Sequence, residues 1–431
     1  MRRVVIGAAV GSSLALLLLA CQPVSAQDEL DEFSFDPEEF KKPAWSVDGY
    51  FQGDLGFARL NSDAAFYRIS FLGKEPDTHR LQGGGEILPG LTFQKGAFTA
   101  RALGSLQYFH DGEEGDSDFA LFEANLSWKA GYGTYLTIGK TLLRWGKGYA
   151  WNPTNFVGRI KNPSDPDLAL EGYWLGLVDV VKSFNGPLRT VALTGLVLPV
   201  SEDINGEFGR QDHTNLAGKL YFLLYDTDID LMALSEGSRA ARYGVAASRN
   251  IAANFEVHGE FARVSDFEKR IVGPDGIVTS QKYDTSSYLA GVRYLARTNT
   301  TWIFEYYHNG KGYTKNEVED FFGFIGGAQD SQLLTALADA SGYLLPNFMR
   351  NYLFLRASQR EPFGWLYVAP AIFTIVNVDD GSFNLVPEVI YTGVQNLELR
   401  TRLNLLFGGV ATEYGEKVND WRIELRLRYF F

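Results

Sequence analysis

Between Trp421 and Tyr429 apolar and charged positions alternate without a break, and the chain ends on Phe430 and Phe431. Trp421, Ile423, Leu425, Leu427, Tyr429 and Phe431 occupy one set, and Arg422, Glu424, Arg426 and Arg428, then Phe430, occupy the other. A period of two is a strand, because successive side chains leave opposite faces of the pleat. One face requires an apolar medium and the other requires water. The preceding stretch obeys the same rule, with Glu398, Arg400, Arg402 and Asn404 sharing a face. Across both stretches five arginines stand against two glutamates, so the wall they form reads as net positive.

An ending of this kind resembles the closing strand of Gram-negative outer-membrane β-barrels, in which a C-terminal aromatic is the usual assembly signal. The rest of the chain follows suit. Beyond the first 26 residues no apolar run reaches the roughly 18 residues that a transmembrane helix needs. Aromatic residues at 14% and 45 glycines favour strands and turns over helices. Two-faced segments recur from 45–57 to 419–431, about 18 in all. Brief turns such as Gln94-Lys95-Gly96, Asn185-Gly186-Pro187 and Glu361-Pro362-Phe363 alternate with long connections at 144–171, 200–211, 266–282 and 310–348. The expectation is all-β: an antiparallel transmembrane β-barrel with short periplasmic turns and long extracellular loops, occupying residues 45–431. Residues 64–73 are also strand-like, through Phe66, Ile69 and Phe71, and read as a hairpin extension or part of the first outer loop. In the loop near 315–340, Asn316 followed by Glu319 reads as a capping box ahead of Val318, Phe321, Phe322 and Ile325 at helical spacing. A second short helix follows through Leu333, Leu334 and Leu337, and the pair must fold into the barrel mouth or cover its rim.

The N-terminus is a leader. Arg2 and Arg3 precede an apolar run from Val4 to Ala20, and Val24-Ser25-Ala26 is a small-x-small cleavage signal, which assigns residues 1–26 to a signal peptide. Leu18-Leu19-Ala20 before Cys21 offers the alternative of lipidation at that cysteine. Cys21 is the only cysteine, so cleavage after Ala26 leaves no disulfide. The formal charge of −12 becomes −14 without Arg2 and Arg3, which argues against nucleic acid as a partner. Seven acids between Asp28 and Glu39, interleaved with Phe33 and Phe35, mark residues 27–44 as an acidic periplasmic arm. Its stretch 28–42 is either a solvated tail or a docking peptide for a periplasmic partner.

Against this acidity one segment stands out. Gly139 to Lys161 carries Lys140, Arg144, Lys147, Arg159 and Lys161 with no acid, set among Trp145, Tyr149 and Trp151. Guanidinium and ammonium groups pair anions, and aromatic faces stack on sugar rings or cations. The two tryptophans serve equally well as interfacial girdle residues. Arg-Trp-Gly-Lys-Gly-Tyr followed by Trp-Asn-Pro is similar to a motif of porin-like families, including the alginate-export and related outer-membrane barrels. That resemblance implies a passive or facilitated conduit for anionic or hydrophobic solutes, with lumen arginines and a loop that folds inward.

The candidate lumen residues are therefore Arg144, Lys147, Arg159 and Lys161, then Glu398, Arg400, Arg402, Arg422, Glu424, Arg426 and Arg428, with Trp145, Tyr149 and Trp151 as aromatic contacts. No two of the five histidines stand at metal-ligand spacing, and no Gly-x-Ser-x-Gly elbow or phosphate loop is present. No cofactor or metal is expected. His258, between Glu256 and Glu260, is the best candidate for a hydrolase site and reads instead as a lumen residue. The expected function is an outer-membrane porin-like channel for small, anionic or lipophilic-acid solutes, with membrane lipid and solutes as partners. A plugged assembly barrel acting through the acidic arm is the alternative, and an outer-membrane hydrolase stands behind both.

Overall fold

The computed structural model describes residues 43–74, 77–111, 115–165, 168 and 170–431. The leader, Cys21 and the acidic arm up to residue 42 lie outside them. Eighteen strands follow in order: β1 Trp45–Leu60, β2 His79–Lys95, β3 Phe98–His110, β4 Gly115–Gly131, β5 Thr134–Thr141, β6 Tyr173–Ser183, β7 Leu188–Val200, β8 His213–Leu224 and β9 Thr227–Leu234. They continue with β10 Arg242–Ala252, β11 Phe255–Val272, β12 Val278–Leu295, β13 Thr300–His308, β14 Asn351–Gln359, β15 Val368–Asn377, β16 Phe383–Val394, β17 Leu397–Phe407 and β18 Asn419–Phe430. Each pairs antiparallel with its successor, and β18 returns to pair with β1, so the sheet closes. Closure leaves no edge strand with unpaired backbone groups.

Register sets the two faces. Leu55 sits opposite Leu425 and Phe57 opposite Ile423, all exposed on the outside, while Asp54 faces Arg426 across the inner side. Aromatic rings rim the exterior at both heights. Trp45 pairs with Phe93 and Phe98 stacks on Trp128 near the short turns, while Phe57 meets Trp421 and Phe383 stacks on Phe407 near the long connections. An apolar band between two aromatic rims is a surface that hydrocarbon covers without penalty and water does not.

Three expectations need correction. Residues 64–73 do belong to the first outer connection, between β1 and β2, but form no strand; Ala65–Ser70 is a short helix, α1. Phe66 and Ile69 are three apart, which on a helix puts both on the face that packs into the mouth. The connection expected at 266–282 shrinks to five residues, because β11 and β12 resume pairing after a register shift and run from Phe267 opposite Tyr283 to Val272 opposite Val278. In the connection after β13, the helix Lys315–Gly327, α2, is capped by Thr314 and Glu317 instead of Asn316 and Glu319. The Thr314 backbone N–H donates to the Glu317 carboxylate at 2.7 Å, and the Glu317 N–H donates back to the Thr314 hydroxyl.

The helical spacing itself holds: Val318, Phe321, Phe322 and Ile325 form the buried face of α2, followed by α3, Asp330–Asp339. That face packs on Phe66 of α1, and Tyr343 stacks between Tyr313 and Phe321. The cluster runs inward without a gap to Trp151, Tyr307 and Phe354 inside the barrel.

Burial alone would raise the Glu317 carboxyl, but the Lys269 ammonium at 2.6 Å and the Thr314 N–H outweigh it and hold it below the usual range. A depressed carboxyl contributes its stability above the ordinary value of about 4.3 and loses it as pH falls through the lower folded value. Amide-exchange protection over 315–339, relative to strand amides, is expected to drop on acidification, and the drop disappears in Glu317→Gln, which lacks that protection throughout.

Candidate site inside the barrel

The connection from Leu142 to Gly172 enters the barrel and is held at both ends of its path. β6 and β7 explain one attachment. Leu175, Leu177, Leu196 and Leu198 point inward and are buried, so this sector of the inner wall is apolar and must be covered. Trp145, Phe156 and Val157 cover it, each at most 4% exposed, which stabilises the docked loop by roughly 1.5–3 kcal/mol per side chain.

Two buried carboxylates then fasten the backbone. Glu260 on β11 accepts the N–H groups of Lys147 (2.5 Å), Gly148 (2.7 Å) and Thr154 (3.1 Å), the Thr154 hydroxyl (2.6 Å) and the Asn152 amide (3.0 Å). Glu305 on β13 accepts the N–H groups of Tyr149 (2.5 Å) and Ala150 (2.8 Å) and lies 2.9 Å from His258 Nε2. The glycines of the Arg-Trp-Gly-Lys-Gly-Tyr run make this approach feasible. A Cβ on Gly146, at φ +104°, would sit 2.7 Å from a Glu260 oxygen.

The return path is tied to the opposite wall. Asp165 reaches Arg400 at 3.2 Å, Arg426 at 3.0 Å and Arg402 at 3.7 Å. Glu388 on β16 adds a contact to Arg402 at 2.8 Å, Asp54 on β1 one to Arg426 at 3.0 Å, and Glu424 one to Arg422 at 2.9 Å. Arg428 lies over the Tyr50 ring and donates to Gln52, and Glu398 sits 3.7 Å from Arg400. The arginines of β17 and β18 do face inward, yet the net positive wall expected from those strands is largely neutralised. Besides Glu398 and Glu424, its acids come from β1, β16 and the inward connection, which a count over β17 and β18 alone omits.

Two cavities flank the connection. One, of 450 Å³, is lined by Arg144, Lys147, Arg159, Lys161 and Arg356 together with Tyr149, Ile303 and Phe354, and by no acid. Lys147 pairs with Asp230, Arg159 with Glu171 and Glu207, Lys161 with the Gly148 and Tyr149 carbonyls, and Arg356 with Glu388. Arg144 is exposed into this cavity and makes no ion pair or hydrogen bond among the described residues. The other cavity, 240 Å³, borders Asp54, Glu86, Leu168, Arg400, Arg402, Arg422 and Arg426.

Trp145 and Trp151 do not belong to an exterior girdle; Trp145 is buried but is among the residues that line the 450 Å³ cavity, and Trp151 is not. Trp145 plugs the apolar sector, and Trp151 stacks on Tyr307 at 5.2 Å with its indole N–H on Asn347. Tyr149 lines the cavity and lies edge-on to His258, its hydroxyl donating to Glu256. His258 is buried on the lumen side between Glu256 and Glu305. Sequence reasoning placed Glu260 beside His258 without its anchoring role, and missed Glu305, Asp165 and Glu388. A signal existed for Glu260 and Glu305: a Gly-x-Gly run rich in free backbone N–H groups needs acceptors once it is buried.

No family model and no curated protein matches this sequence. Among solved structures the chain is similar to OccK5 (OpdH) of Pseudomonas aeruginosa, at 14% identity and a TM-score of 0.51 over 89% of this chain and 98% of that one. OccK11 (OpdR) of the same organism follows at 12% identity and 0.49, covering 89% and 96%. A triple mutant of Rhodopseudomonas blastica porin gives 10% and 0.45, covering 90% and 100%. At such identities the likeness to OccK5 speaks for the fold: this chain is a closed, 18-stranded antiparallel β-barrel.

Proposed function

We propose that this protein is an outer-membrane, porin-like channel that passes small solutes by diffusion and favours anionic or lipophilic-acid ones. The apolar exterior between aromatic rims and the even strand number support the membrane setting. The observation that carries the solute preference is the 450 Å³ cavity, whose five cations include an unpaired Arg144 and whose lining holds no acid. Ile303 and Phe354 beside these cations suit a solute with both a charge and an apolar body. Four of the five cations already spend part of their field on a partner, so an anion is held weakly enough to move on.

Planar-bilayer recording of the purified protein tests this. Anion over cation preference is expected at low salt, and Arg144→Ala is expected to reduce it without closing the channel. Cation selectivity in the unaltered protein would sink the reading. Absence of any conductance would favour the plugged assembly barrel, which the double attachment of the inward connection also suits.

A further inference from the structure

A third cavity, 280 Å³, opens where the outer connections meet β16, β17 and β18, and its chemistry differs from that of the other two. Asn347, Asn384, Asn404 and Asn419 line it with Glu413 and Lys417. Two acceptors there lack partners among the described residues. Glu413 is fully buried; its Oε2 accepts from the Tyr352 hydroxyl at 2.5 Å and from Asn377 at 2.8 Å, while its Oε1 accepts nothing. Asn404 Oδ1 is likewise buried and unpaired. Buried acceptors left unmet cost about 1–3 kcal/mol each, so a guest that brings donors is favoured there over an apolar one.

We infer that this cavity is a vestibule subsite for a neutral, hydroxyl-rich solute, a sugar or polyol. Carboxamides both donate and accept, as hydroxyls do, and those of Asn404 and Asn419 match a polyol edge without charge. Asn347 is held by Trp151 and Tyr414, and the Asn384 carbonyl oxygen accepts the Ile375 N–H. A carboxylate would meet Glu413, and a simple cation would meet Lys417. An apolar guest would leave both orphan acceptors unmet. The volume lies near the lower end of the roughly 300–1,000 Å³ usual for small-molecule sites, which suits one ring. On β17 the next inward position below Asn404 is Arg402, which borders the 240 Å³ cavity. The inference uses the channel reading only for the direction of traffic; association itself needs no conduction.

Titration of the full-length protein in detergent with glucose and with sorbitol, followed by saturation-transfer NMR, tests it, with butyrate and tetramethylammonium as the charged probes. Saturable, weak association of the polyols is expected, and Asn404→Leu is expected to weaken it tenfold or more. Neither Asn404 nor Asn419 has a side-chain hydrogen bond among the described residues, so Asn419→Leu is a second variant with little risk to folding. Heat-modifiable gel mobility checks that each barrel is closed. Absence of saturable polyol association, association indifferent to both variants, or preferential uptake of butyrate at an Asn404-dependent site would each overturn the inference. Polyol association in a protein that conducts no ions would instead sink the channel reading alone.

Discussion

Replacing Glu260 and Glu305 together by alanine is expected to release the inward connection and raise single-channel conductance several-fold. Glu260 takes five hydrogen bonds from Lys147, Gly148, Asn152 and Thr154, and Glu305 takes the N–H groups of Tyr149 and Ala150. Donors left without an acceptor cost about 1–3 kcal/mol each while they stay buried, but lumen water satisfies them once the segment lifts. The penalty therefore appears as loop release and not as barrel unfolding, since strand pairing is untouched. Opposing release are Trp145, Phe156 and Val157, worth roughly 1.5–3 kcal/mol apiece on the apolar wall. One carboxylate lost leaves these in place, so the single variants are expected to flicker between conductance levels while the double variant stays open. Trypsin provides the second readout, through new cleavage after Lys147 or Lys161 with gel mobility of the closed barrel unchanged. Unaltered conductance together with unaltered trypsin resistance would show that apolar docking alone holds the segment.

Asp165→Asn should move the channel further towards anions, the opposite sign to Arg144→Ala. Asp165 lies within 4.0 Å of Arg400, Arg402 and Arg426, and its removal returns a share of three guanidinium fields to the lumen. A unit charge at 4 Å contributes about 4 kcal/mol at an effective dielectric of 20, before screening. Mobile ions cut this within a Debye length of about 10 Å at 0.1 M, so the shift in reversal potential is expected to be large in dilute salt and small in concentrated salt. The variant also loosens the return path of the connection, which changes conductance but carries no sign of selectivity. A reversal potential that stays put at low salt would mean that permeating ions do not pass this wall.

The barrel was legible because its rule is local. Alternation at Trp421–Arg428 and at Glu398–Asn404 needs only the pleat, and turn residues such as Asn185-Gly186-Pro187 mark where strands reverse. The site was legible in part. The acid-free run from Gly139 to Lys161 does reach the lumen and lines the cation cavity. Its anchors were not legible, because Glu260 and Glu305 lie more than 100 residues away from the N–H groups they hold. Nor was the neutralisation of Arg400, Arg402 and Arg426, since Asp165, Glu388 and Asp54 come from three other parts of the chain. The runs Tyr173–Val178 and Leu196–Val200 held a hint that went unused: inward positions there are apolar, and an apolar lumen face has to be covered.

The amino-acid order alone determined the two-faced strands, their approximate number and which side chains turn inward, because a period of two is decided by neighbours along the chain. Which inward charges remain free, and where the long connections go, only the closed barrel decided. Closure brings remote acids to within hydrogen-bond distance of cations and backbone N–H groups, and Coulomb energy depends on that distance in space rather than on separation in sequence.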